Sequence, residues 1–589
     1  MRLTTKRAAL AATTVSLAVF AAACAPGNNN EVVVEEVPAA VAPAPEGEAT
    51  APEGEAPAVT DQCPIDAAHR VGAMADFGVG THFRATEPIT IDLLYRIHPG
   101  YPVEDDWLIW RAFAESNNVT FNRTDLLMSD WDQMRNTFIG AGEFPTLVPV
   151  VWQGQESSWA VGGQLLPISD YLGCLPNFTH FLDEWNVTQE FEWRRGEDGK
   201  IYNLPGLREF PNIERSFAIN IDLFEAAGVD VNALNTLDDL EAALIAVQAH
   251  GDVDYAFSDR WNNNAGGVLG SATQTIANQF GTTAGWDRSV VFFDHDNDEF
   301  VARVGTDAYR DLIAWFANLR AEGVLDPEIT QSDEEAVAKF INGRSAMIST
   351  NTNVINTELR QGAADLGIDL NIKMITVPAG PAGSNIPGSL LGPGIVLNNN
   401  IRNNPNFLAI LQFVDWLYAS EEGREFAQWG VEADTPLAEA LGEATWTRGP
   451  DGLRTCVNNI SQPGCVGNTG DALNATFGFQ DGVWMQNWGG SNDLVQSTLS
   501  EENREWFANM AATQNVLPVN PPAPFTELES EQVNLIQGPV QDATETGVAQ
   551  FIMGIRPMSD WDSFVTEIRN LGADQIVEMQ NNALIRARG

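Results

Sequence analysis

Between Ile89 and Trp152, short apolar runs alternate with stretches of helical period, and that order restricts the fold more than any other feature of the chain. Ile89–Ile97 is rich in β-branched and aromatic residues, and the HPGYP run at 98–102 stops it. Residues 105–116 carry Trp107, Leu108, Trp110, Phe113 and Ala114 at helical spacing. A second strand is predicted at 119–122, a second helix at 130–140 and a strand of the buried type at 144–152. This β-α-β-α-β order predicts an α/β fold around a mostly parallel sheet. Ligands of such sheets bind beyond the C-terminal ends of the strands. Tyr101 and Trp152 lie just past two of those ends.

The first sixty residues read as an address and a tether. Arg2, Lys6 and Arg7 precede an apolar run that ends in Ala21-Ala22-Ala23-Cys24, the pattern of a secretory signal over 1–23. Cys24 directly after small residues resembles a bacterial lipobox, with Ala21 where a Leu is usual. Ala21 and Ala23 also suit ordinary signal peptidase, cutting at the same bond. Residues 24–60 are Ala/Pro/Glu/Gly-rich, with APEGEA at 44–49 repeated at 51–56. Such a stretch buries too little apolar surface to offset ordering, and it acts as an extended spacer. The remaining cysteines form an even set in an exported chain. Cys456 and Cys465 suit a local bridge, leaving Cys63 for Cys174. Zinc is the alternative, but no C-x-x-C occurs and the histidines are scattered.

Net charge narrows the partners. With 80 Asp+Glu against 32 Lys+Arg, a formal charge of −48 disfavours nucleic acid and anionic membrane surfaces. No H-E-x-x-H or G-x-S-x-G occurs, none of the four lysines sits in a P-loop, and Gly392-Pro-Gly394 lacks a dinucleotide loop's later Gly. Asp294, Asp296 and Asp298 begin like a calcium loop, but Glu299 and Gly305 stand where Gly and Glu belong. The alternating flanks predict a hairpin there. No cofactor and no metal are expected.

The middle of the chain carries a resemblance. SDWDQMRNTFIGAGEFPTLVPVVW (129–152), DGKIYNLP (198–205), FAINIDLFEAAGV (217–229) with TLDDLEAAL (236–244), TDAYRDLIAWFANLRAEGVLDPEI (306–329), FINGRSAMIST (340–350) and FVDWLYASEEGREFAQWG (413–430) occur in order. Together they resemble the extracellular solute-binding proteins of ABC importers, in the maltose-binding-like family 1. The resemblance implies two α/β lobes joined by a hinge, with a ligand cleft between them. It places lobe 1 at 61–215 plus 373–432 and lobe 2 at 216–372 plus 433–589. It further implies a monomer outside the cytoplasmic membrane, held by lipid on Cys24, that binds a small solute and meets ABC permease subunits.

Aromatics beside amides suggest the solute. An indole covers the apolar face of a sugar ring while nearby amides hydrogen-bond its hydroxyls. Trp152, Trp261 with Asn262, and Trp484, Gln486 and Trp488 have this local character, and the resemblance sets their segments near the cleft. Tyr101 and Asn351 are further candidates. Trp107, Trp110, Trp131, Trp315, Trp416 and Trp506 fall in helical periods and are expected in packing. The expectation is capture of an oligosaccharide by hinge closure, without catalysis. The alternatives are a peptide ligand, a surface-anchored glycoside hydrolase, and an orphan sensor or adhesin.

Overall fold

A computed structural model describes residues 63–259, 268–328, 331–450, 452–462, 464–465, 468, 470–485 and 490–588. Its main strands, in chain order, are β1 (Ile89–Ile97), β2 (Val119–Leu127), β3 (Leu147–Val151), β4 (Leu204–Leu207), β5 (Arg215–Asn220), β6 (Tyr255–Phe257), β7 (Val291–Asp294), β8 (Glu299–Ala302), β9 (Ser345–Asn351), β10 (Ile372–Met374), β11 (Asn385–Ile386) and β12 (Leu391–Leu397). They form two principal sheets, ordered β2-β1-β3-β12-β4 and β10-β5-β9-β6.

In the first sheet β1 runs parallel to β2 and β3, whereas β12 lies antiparallel to both β3 and β4. The ends of β1, β2, β3 and β4 therefore share one edge. One face of this sheet packs Leu94, Val148, Val151 and Val396 against Trp131, Ile139 and Trp159. The other packs Ile91, Leu93 and Ile395 against the helix Phe407–Ala419, every residue of which is buried. A helix apolar all round belongs at the centre of a core. Its one carboxylate, Asp415, accepts hydrogen bonds from the backbone N–H groups of Asn177 (2.9 Å) and Phe178 (2.8 Å), and so caps the helix Pro176–Glu184.

The second sheet is also covered on both faces. Phe217, Ile219 and Met347 meet the closing helices through Val540, Phe551 and Phe564. Ala218, Ile348 and Met374 meet Trp506, Phe507 and Met510 on the opposite face. Alternation along β5, with Phe217 and Ile219 one way and Ala218 the other, is the period-2 pattern of a strand buried on both sides.

The described residues of 433–497, a range expected in the second lobe, pack on the first body. Ile460, Leu473, Phe479 and Val483 enter the first sheet's core, Leu494 packs with Trp429 and Trp446, and Trp429 Nε1 donates to Ser497 Oγ at 3.0 Å. The cause is apolar burial against Trp429 and Phe426, which local sequence does not reveal. Chain passes from one body to the other at 208–214, at 387–390, since Ile375, Val377 and Ile386 still pack on the second, and finally near 498.

Two disulfides lie on the first body. Cys63–Cys174 fastens the N-terminal lead across 111 residues, and Cys456–Cys465 closes a local loop beside the hairpin Trp446–Arg448 with Arg454–Cys456. β7 and β8 form an antiparallel hairpin whose turn is held by Asp294, which accepts from the N–H groups of Asp296 and Asn297. Asp298 pairs with Arg588 at 2.6 and 2.7 Å. Two of the three aspartates of that calcium-like run are thus engaged by the turn and by an ion pair.

Candidate ligand-binding site

The hinge crossing 208–214 sets two strand edges against each other. It starts at Arg208, directly past the end of β4, and finishes at Arg215, the first residue of β5. Arg215 pairs in register with Asn351 at the end of β9. The first-body edge therefore carries 98–101, 152–156 and Arg208; the second carries Arg215, Asn351 and, past β6, Ser258. Ligand sites of open α/β sheets lie at such edges.

Trp152 stands at the first-body edge. It is 41% exposed, just past β3. Its N–H donates to Gln155 Oε1 at 3.0 Å and its carbonyl accepts from Gln155 N at 3.1 Å, so a tight turn holds the ring outward.

Behind that turn lies a polar cluster with unused capacity. Glu156, Arg194 and Arg208 are half-buried. Glu156 Oε2, Arg194 Nε and Nη1 and Asn203 Oδ1 are enclosed yet make no hydrogen bond. Buried polar groups are normally paired, so such a concentration asks for a partner from outside the chain. Burial pushes the Glu156 carboxyl up, against the pull of Arg194. Burial also lowers Arg194, and it brings Arg208 down to about 10 despite Glu214 and Glu190. Glu190 is occupied by Ser389 Oγ and by Leu390 N at 3.0 Å. Close backbone approach here depends on Gly394, where a Cβ would stand 2.0 Å from Asn203 Oδ1 and 2.3 Å from Leu204 O.

On the second body the Arg215 guanidinium lies 4.4 Å over the Trp286 ring and pairs with Glu214 at 3.2 Å. Burial would raise Glu214, but Arg215 and Arg208 outweigh it and hold the carboxyl below its ordinary value. Trp286 is half-buried, and its Nε1 makes no hydrogen bond. Sequence reasoning passed over Trp286, although GTTAGWDRS has the Gly-Trp-polar character used to select the other tryptophans. For Glu156, Arg194 and Arg208 no local signal exists, because their meaning comes from packing.

The remaining candidates divide. Trp484, expected to face a ligand, is 1% exposed and packs among Tyr95, Trp110, Phe113 and Phe121 at centroid distances of 5.3–6.0 Å. With both faces covered it is a core residue here. Asp481, three residues earlier, accepts from Tyr95 Oη at 2.7 Å and from Val483 N at 2.8 Å, which ties the segment into the core. Tyr101 stacks on His98 with centroids 4.0 Å apart at the first edge. Asn351 is at the second edge, but its Oδ1 accepts from the N–H groups of Asn353 and Val354 and starts the next turn. Trp261, Asn262, Gln486, Trp488 and Cys24 lie outside the described residues. Among the helical tryptophans, Trp107, Trp131, Trp315, Trp416 and Trp506 are buried.

Residues 109–455 match the family profile described as bacterial extracellular solute-binding protein. The chain belongs to that family. Such solute-binding proteins act outside the cytoplasm, and among the described residues no helix is long and apolar enough to cross a membrane. No curated protein matches the chain. Solved structures share its two-lobed fold. The alginate-binding protein AlgQ2 is 16% identical, with a TM-score of 0.63 over 86% of this chain and 99% of its own. An HMO-binding ABC-transporter-associated solute-binding protein from Bifidobacterium longum infantis is 15% identical, with a TM-score of 0.63 over 85% and 99%. The FusA substrate-binding protein of S. pneumoniae, solved with kestose, is 16% identical, with a TM-score of 0.62 over 85% and 99%.

Proposed function

We propose that this solute-binding protein captures an oligosaccharide between its two lobes and delivers it to the permease of an ABC importer. The observation that carries the reading is an exposed indole, Trp152, beside enclosed polar groups that no described residue satisfies. A pyranose ring offers that site an apolar face and hydroxyls that both donate and accept. Similar proteins named for alginate and HMO binding, and one solved in complex with kestose, add support. In this reading lobe 1 comprises 63–207 with 391–497, and lobe 2 comprises 215–386 with 499–588. Contacts from both lobes favour the closed state, which the permease recognises. The protein works as a monomer without catalysis, held to the outer face of the membrane by lipid on Cys24.

Thermal unfolding against a panel of oligosaccharides and short peptides tests this. A ligand at a hundredfold excess over Kd adds about 2.7 kcal/mol to stability. The expected result is a raised midpoint with one glycan series, weakened by Trp152→Ala, with the glycan recovered intact. A shift with peptides alone would overturn the ligand, and cleaved glycan would make the protein an enzyme.

A further inference from the structure

Acidic side chains outnumber basic ones 80 to 32 in this chain, so carboxylate partners for arginine are plentiful. Most arginines find one; Arg288, Arg360, Arg454, Arg556, Arg586 and Arg588 each do. Around the cleft edge of the first lobe the pattern fails. Arg194 has Nε and Nη1 enclosed and unbonded, and the Arg208 guanidinium, brought down to about 10 by burial, lies within the charge field of Glu214 and Glu190. Both feel the charge of Glu190, whose oxygens are already taken by Ser389 and Leu390.

A third guanidinium stands close by. Arg424 is 8% exposed, lies 4.6 Å over Phe181 and 4.9 Å over Trp185, and bonds through none of its three nitrogens. It packs under Gly490, where a Cβ would come within 2.9 Å of Arg424 Cδ, and Gly490 O accepts from the N–H of Glu209, the neighbour of Arg208.

We infer that the captured sugar carries a carboxylate, and that Arg194 and Arg208 receive it at the first-lobe edge. This rests on the oligosaccharide reading and narrows it. A planar guanidinium donates two parallel hydrogen bonds to a carboxylate, a geometry that a neutral hydroxyl does not reproduce. Charge points the same way. The enclosed nitrogens that lack a bond on Arg194 and Arg424 all belong to cations. The net charge of −48 does not decide against it. At physiological ionic strength the Debye length is about 8 Å, so distant surface acids are screened while an enclosed guanidinium is not.

Calorimetry on the purified protein tests the inference with matched probes: uronate- and sialate-bearing oligosaccharides, the same glycans with the carboxyl reduced to an alcohol, and neutral oligosaccharides. At least one acidic glycan is expected to bind about tenfold or more tighter than its reduced twin. Arg194→Gln and Arg208→Gln should each remove most of that preference while leaving residual binding of the reduced twin. Native circular dichroism and unfolding midpoint confirm that the variants fold. Reduced or neutral glycans binding as well as acidic ones would overturn the carboxylate and leave sugar capture standing. An acidic preference untouched by both substitutions would overturn the site. Failure of every glycan would sink both readings together.

Discussion

Trp152 and Trp484 share a local signature, an indole beside Gly and Gln or Met, and their fates are opposite. Trp152 keeps 41% of its surface, whereas Trp484 keeps 1% inside an aromatic cluster. Loss of a buried Trp typically costs about 3–5 kcal/mol, and exposed substitutions away from special features stay within about 0.5 kcal/mol. Urea unfolding should therefore show Trp484→Ala strongly destabilised and Trp152→Ala nearly unchanged in stability. Equal costs for the two would contradict the packing described. Nothing within ten residues of either Trp distinguishes them; the difference is made by Tyr95, Trp110 and Phe121, far away in sequence. A second residue-scale expectation concerns pH. His82 Nδ1 and Glu422 Oε1 lie 2.9 Å apart, and Trp416 Nε1 donates to Glu422 Oε2 at 2.9 Å. Burial opposes the His82 charge, but Glu422 and Ser116 O outweigh it and raise His82 above its ordinary 6.5. Burial likewise opposes ionised Glu422, yet His82 and Trp416 lower it below 4.5. The His82 share is present below pH 6.5 and is lost as pH rises through the raised value. The Glu422 share is lost as pH falls through the lowered one. Both groups are partly exposed, so the effect is modest. The stability gap between wild type and His82→Ala should be larger at pH 5.5 than at pH 8; a gap that ignores pH would rule the pair out.

Elements were legible where both faces of a strand are buried, and harder to read at edges. β1 and β3 follow apolar runs, and the structure places them within a few residues of their expected bounds. β2 extends to Leu127, beyond the expected end at 122. It is an edge strand, and Asn122, Arg123, Thr124 and Asp125 keep partly open surface while pairing in register with β1. Polar residues on an edge hide a strand from a reading based on hydrophobic pattern. The tie between Cys63 and Cys174 belongs to this scale, since it fastens a lead with little regular structure to the first sheet's core. The chain-entropy account gives about 4–5 kcal/mol for closing a loop of this length. Replacing both cysteines by Ser should lower the denaturant midpoint by that order. Replacing Cys456 and Cys465, only 9 residues apart, should cost less. The reverse order would mean that strain, rather than loop length, governs the two bridges.

At the scale of the whole molecule, the order of motifs does not give the bounds of the two bodies: Ile372–Met374, where the first lobe was expected to resume at 373, pairs with β5 in the second sheet. Described residues of 433–497 fold back on the first lobe through Trp429, Trp446 and Leu494, contacts that no local period announces. The candidate site shows the same limit: Trp152 could be singled out in the sequence, but the enclosed, unbonded atoms of Glu156 and Arg194 exist only once β3, β4 and the hinge are assembled. Closure about that hinge requires the ligand to prefer one state. Moving a population from 1:99 to 99:1 takes about 5.5 kcal/mol of differential binding. Contacts to the first lobe, present whether the cleft is open or closed, contribute none of it. In the proposed reading the second lobe supplies it, through Arg215, Trp286 and their neighbours. One aromatic contact is worth about 0.5–1.5 kcal/mol, so Trp286→Ala should weaken closure without abolishing it. Small-angle scattering should then show a fall in radius of gyration when saturating glycan is added to the wild type, and a smaller fall for Trp286→Ala. Trp152→Ala should need more ligand yet reach the full compaction, because its contact does not distinguish open from closed. Equal compaction by all three proteins at saturation would place the closing contacts elsewhere on the second lobe.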